Sequence, residues 1–140
     1  MNHHPRVLAV RLKPGQDLKE ALETWIREEN LQAAYIGTLV GSLTRLCLRL
    51  AMAEEVAEWE GPFEIVSAVG TLCPDGIHVH LSASDRFGTT LGGHLMPGCR
   101  IHTTVELVVV QCPDLVFSRR PDPNTGYDEL VVESAPPSER

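Results

Sequence analysis

The 140-residue sequence predicts an α+β domain: one major helix packed on a largely antiparallel sheet of about seven strands. Three observations lead there. One stretch alone shows clear helical periodicity, the rest is dominated by strand-length apolar runs, and the runs are joined mostly by short turns, which favour antiparallel pairing.

Arg6 to Leu12 opens the chain as a strand, with Val7, Leu8 and Val10 among polar neighbours, and Pro14-Gly15 ends it. From Asp17 to Glu29 the period changes. Leu18, Leu22, Trp25 and Ile26 fall on one helix face, and Asp17 and Glu20 sit near the positive N-terminal end. Leu31 to Leu39 and Leu43 to Ala51 read as strand, punctuated by Gly41-Ser42, and the acidic Glu54 to Glu60 reads as a loop or a short second helix. Phe63 to Leu72 is a strand ended by the turn Cys73-Pro74-Asp75-Gly76. Ile77 to Ser84 alternates strictly, Thr89 to Met96 follows, and Ile101 to Gln111 is a long strand with Val105, Leu107 and Val109 on one face. Leu115 to Ser118 is a short strand. Residues 5–132 form one domain on this reading, and the polar, Pro-rich residues 133–140 are expected to be a disordered tail.

Composition narrows the function. Apolar residues at 43% and charged residues at 22% are ordinary for a folded domain. Acids outnumber bases 19 to 12, a formal net charge of −7, so the overall field opposes nucleic acid, whose binding rests on phosphate contacts. The N-terminal MNHHPRVLAVRL has no signal-peptide pattern and no apolar run approaches a membrane span, so the expected address is the cytoplasm. Cys47, Cys73, Cys99 and Cys112 form no CxxC clamp and read as reduced thiols.

The chemistry concentrates in three histidines. His78 and His80 point the same way from one strand, about 7 Å apart. Gly88 at the end of Arg86-Phe87-Gly88 suits a three-residue hairpin that pairs Asp85 with Thr89. That register sets His80 opposite His94 and puts His78, His80 and His94 on one face, where imidazoles can converge on one divalent ion: zinc first, with iron or nickel as alternatives. A two- or four-residue loop would send His94 to the opposite face. Gly92-Gly93 inside the strand calls for a bulge or the close approach of a backbone or ligand. His102 is a further candidate ligand, and Glu106 a candidate catalytic base for metal-bound water. Arg45 and Arg49 share a strand face and read as anion ligands or solvated side chains. The competing reading of the histidines is a pair of polar residues on the wet face of a sheet. No Walker sequence, GxGxxG or GxSxG motif occurs, so no nucleotide cofactor is indicated.

Several stretches together resemble the plants-and-prokaryotes-conserved (PPC) domain family. They are Gly37-Thr38-Leu39-Val40-Gly41-Ser42-Leu43, Gly61-Pro62-Phe63-Glu64-Ile65-Val66, Pro74 to Leu81, Gly92-Gly93-His94-Leu95 and Thr125 to Leu130. The resemblance runs from about Arg6 to Val132. It implies a homotrimer, with metal held near the matched histidines and a small polar ligand near a subunit interface. It implies as the alternative a non-catalytic oligomerisation and regulatory module with a protein partner. Glu64 and Tyr127-Asp128-Glu129 are then candidates for ties between subunits, while Phe63 reads as core. The DNA-binding role of the plant relatives does not carry over, since no Arg-Gly-Arg-Pro core of an AT-hook is present.

Overall fold

The computed structural model describes residues 4–137. Its strands are β1 (Arg6–Leu12), β2 (Ala34–Arg49), β3 (Val56–Cys73), β4 (Gly76–Ser84), β5 (Thr90–Leu95), β6 (Arg100–Gln111), β7 (Leu115–Pro121) and β8 (Asp128–Ser134), with one helix, α1 (Leu18–Glu28). Eight strands replace the expected seven or so. Six form one antiparallel sheet in the order β1-β6-β2-β3-β4-β5, and β7 and β8 make a separate hairpin.

The helix forms for the reasons its sequence carries. Asp17 caps it by accepting the Glu20 N–H at 3.0 Å, and its second oxygen accepts the Gly98 N–H, fastening the helix start to the β5–β6 turn. Leu18, Leu22, Trp25 and Ile26 are all buried against the sheet. Alternate residues of the strands complete the core: Leu46 and Leu48 of β2, Val79 and Leu81 of β4, and Val105, Leu107 and Val109 of β6. Phe63 is buried with them. Cys47 and Cys99 meet inside it, the Cys47 N–H donating to Cys99 Sγ at 3.2 Å. All four thiols are free, and burial pushes Cys99 up to about 12.

Three expectations are corrected. Glu54 to Glu60 is neither loop nor helix from Val56 onward: Ala57 and Trp59 alternate with Glu58 and Glu60, and both acids face Arg45 across the β2–β3 ladder. Gly41-Ser42 does not divide the second strand, which runs through it with register shifts nearby. Glu133 and Ser134, expected in a tail, instead belong to β8, paired with Val116 and Leu115. Residues 138–140, the end of the expected tail, lie outside the described residues.

The topology has one further feature. β2 pairs with β3 along its length, and its last residues then pair with β5, Leu48 opposite Leu95 and Arg49 opposite His94. Strands β2, β3, β4 and β5 thus close on themselves, with Leu48, Leu81 and Leu95 buried. Gly93 permits the closure. A Cβ there would stand 2.8 Å from the Arg49 carbonyl oxygen and 3.2 Å from Leu48 Cβ. The backbone approach that the glycine pair calls for in the sequence is the end of β2.

Candidate metal centre

The site begins with the hairpin. Asp85 N–H donates to the Thr89 carbonyl at 2.9 Å, the Gly88 N–H to the Asp85 carbonyl at 3.0 Å, and Gly88 takes φ +82°. The Asp85 carboxylate accepts the Phe87 and Thr89 N–H groups. The loop is Arg86-Phe87-Gly88, and the ladder above it pairs Ser84 with Thr90, Ser82 with Gly92 and His80 with His94. His78 lies two residues before His80 on the same face of β4.

The three rings form a triangle with centroid separations of 4.9, 5.1 and 5.7 Å. His78 Nε2 and His80 Nε2 are 3.1 Å apart, and the three available ligand nitrogens lie within 4.8 Å of one another. Around a tetrahedral zinc with bonds of about 2 Å, nitrogens stand roughly 3.3 Å apart. The first pair is close to that spacing, and the third nitrogen lies within 4.8 Å of both. Three imidazoles on one sheet face with no carboxylate among them suit zinc and leave a coordination position open.

The electrostatics favour the neutral form of His94 and His78. Burial, then the Arg49 charge, lowers His94 to about 4. Burial, then His80 and Arg119, lowers His78 as well. Neutral imidazole is the metal-binding form.

Two cavities meet at the triangle. One, of about 520 Å³, is bounded by the β2–β3 turn and includes Arg49, Met52, Gly92 and the three histidines. The other, of about 310 Å³, lies under the β7–β8 hairpin and includes His78, His94, Arg119, Tyr127 and Glu129. Arg49 lines both, its guanidinium carbon 5.2 Å from the centre of the Tyr127 ring.

The structure does not bring the other sequence candidates to this place. Glu106 is exposed on β6, between Arg11 of β1 and Val40 of β2, and lines neither cavity. The reason is strand order: β6 inserts between β1 and β2 rather than beside β5. His102 is exposed on the same strand and stands outside the histidine group. Carboxylates do reach the smaller cavity, Asp75 from the β3–β4 turn and Asp128 and Glu129 carried there by the hairpin, and Tyr127 is half-exposed beside them. The sequence gives Arg49 no distinction over Arg45, because the β2–β5 contact that separates them is long-range.

An antiparallel sheet of this order with a histidine triangle on the outside of its closed strands defines a small α+β domain with a candidate metal centre. The chain belongs to the Plants and Prokaryotes Conserved (PCC) domain family, whose model matches residues 2–113. It is 49% identical over 137 residues to the bifunctional protein GlmU of a Synechococcus strain, covering 95% of this chain and 22% of that protein. The chain therefore spans about a fifth of the length of the curated relatives it matches. Among solved structures, a hypothetical protein of Salmonella enterica is 45% identical with a TM-score of 0.90, covering 94% of this chain and 95% of that one. A protein of Archaeoglobus fulgidus described as metal-containing shares the fold at 24% identity and a TM-score of 0.75, covering 90% and 93% of the two chains. No helix of the described residues is long and apolar enough to cross a membrane.

Proposed function

We propose that this chain is a trimeric metal-binding protein that holds one divalent ion, zinc in preference to iron or nickel, through His78, His80 and His94. A small polar ligand would complete the site in a cleft near a subunit boundary. The observation that carries the reading is the convergence of three ligand nitrogens within 4.8 Å on one sheet face. The archaeal fold neighbour described as metal-containing agrees with it in kind. When bound, the ion supplies a Lewis acid with an open position, suited to hydrolytic or lyase chemistry.

Self-assembly is supported by the outer face of the sheet. Val7, Val110 and Tyr35 lie side by side across β1, β6 and β2, and Val7 and Tyr35 are exposed. Val40, Val66 and Val69 are exposed as well. Apolar exposure on this scale fits a surface that other copies of the chain cover. The same face leads to the histidines, since Tyr35 pairs with Thr71 and Thr71 with His78. A net charge of −7 argues against DNA as the partner. Metal content of untagged protein, measured together with its mass in solution, tests both parts of the proposal.

A further inference from the structure

Arg45 and Arg49 stand four residues apart on β2 and have opposite surroundings. Arg45 is paired with Glu58 and Glu60. Arg49 sits opposite Val56 on one side and His94 on the other, and no carboxylate among the described residues lies within ion-pair distance of it. It is only partly exposed, and it forms a wall common to both histidine cavities. A fixed guanidinium beside a cation site is repelled by the ion unless an anion joins them.

A second guanidinium reaches the smaller cavity. Arg119 donates to Thr71 Oγ1 at 2.9 Å, which fixes its direction. The acids of that cavity are Asp75, Asp128 and Glu129. Asp75 accepts the Arg119 backbone N–H at 3.2 Å and Glu129 accepts the Thr125 hydroxyl at 3.1 Å. Within that cavity two guanidiniums and a bound divalent ion would outweigh the three carboxylates by one charge, Glu54 lining only the larger cavity. Cavities of about 310 and 520 Å³ are of a size for small metabolites.

We infer that the site takes a small metabolite through an oxyanion group, carboxylate or phosphate, seated between the metal and the Arg49 guanidinium, with Arg119 as an outer contact. The inference rests on the metal reading above. Guanidinium is suited to the role because its planar fork matches either oxyanion with two parallel hydrogen bonds.

The test uses the full chain loaded with cobalt(II), whose visible spectrum reports a new ligand at the metal. Acetate and inorganic phosphate are titrated separately at constant ionic strength. A saturable spectral change with either anion is expected, and the anion with the lower midpoint identifies the group. Arg49→Gln is expected to raise that midpoint by about tenfold or more, the scale of a charge-assisted hydrogen bond, with cobalt affinity by chelator competition not weakened. Arg119→Gln is expected to have a smaller effect. A loaded protein whose spectrum ignores both anions overturns the oxyanion site and leaves the metal site standing, as does an unchanged midpoint in Arg49→Gln. Failure of the wild-type chain to take up cobalt overturns both.

Discussion

Arg49 and His94 face each other directly where the end of β2 folds back onto β5. This one pair joins the closure of the sheet to the chemistry of the site, because the contact that closes the strands also places a cation beside the histidine triangle. The glycine that allows it, Gly93, is next to His94 in sequence.

Gly93→Val is expected to destabilise the fold by about 1–3 kcal/mol, the usual range for forcing atoms into a packed region. The new side chain has the Arg49 carbonyl in its way. Thermal denaturation of the metal-free protein measures this. Weaker metal binding is expected alongside it, since β5 must shift and carry His94 with it.

The hairpin loop makes a sharper prediction. Gly88 has φ +82°, so Gly88→Ala is expected to cost roughly 1–2 kcal/mol. Inserting one residue between Arg86 and Gly88 is expected to slip the β4–β5 register and turn His94 to the opposite face, or force a bulge that hides the slip. Metal affinity reads the difference: loss marks the slip, retention the bulge.

Acid should weaken the metal-free fold. The folded-state value of His94 lies below its unfolded value, so the unfolded chain binds more protons between about 4 and 6.5. Stability is therefore full above 6.5 and falls as the pH drops towards 4. His78, lowered for the same main reason of burial, adds in the same direction. Urea denaturation midpoints at pH 7.5, 6 and 4.5 check the sign, and His94→Gln should flatten part of the slope.

Assembly can be tested on the outer face. Tyr35 is 46% exposed in the single chain, so Tyr35→Asp is expected to leave the fold intact and dissociate the proposed trimer. Light scattering after gel filtration would show the mass fall to that of one chain. A wild-type protein that already runs as a monomer would remove the trimer from the account.

The elements that speak for themselves in the sequence are those whose determinants are local. Leu18, Leu22, Trp25 and Ile26 mark α1 by their spacing alone. Gly88 announces the three-residue loop, and strand parity then carries His80 to its place opposite His94. What the sequence hides is long-range. Nothing near Glu58 and Glu60 says that they will meet Arg45 on a neighbouring strand, so that segment reads as a loop or helix. Glu106 reads as a neighbour of the histidines until β6 is seen to insert between β1 and β2. Arg49, Tyr127 and Glu129 come to the site by a closing strand pair and a separate hairpin, and no local pattern marks either.

On the proposed function, His78, His80 and His94 hold one metal ion together. The most direct test is the metal content of untagged protein supplemented in turn with zinc, iron and nickel, beside His94→Ala treated the same way. Close to one equivalent of metal per wild-type chain is expected, with zinc preferred, and almost none in His94→Ala. Wild-type protein holding less than about 0.2 equivalents of every metal, far short of the occupancy of a tight site, would contradict it.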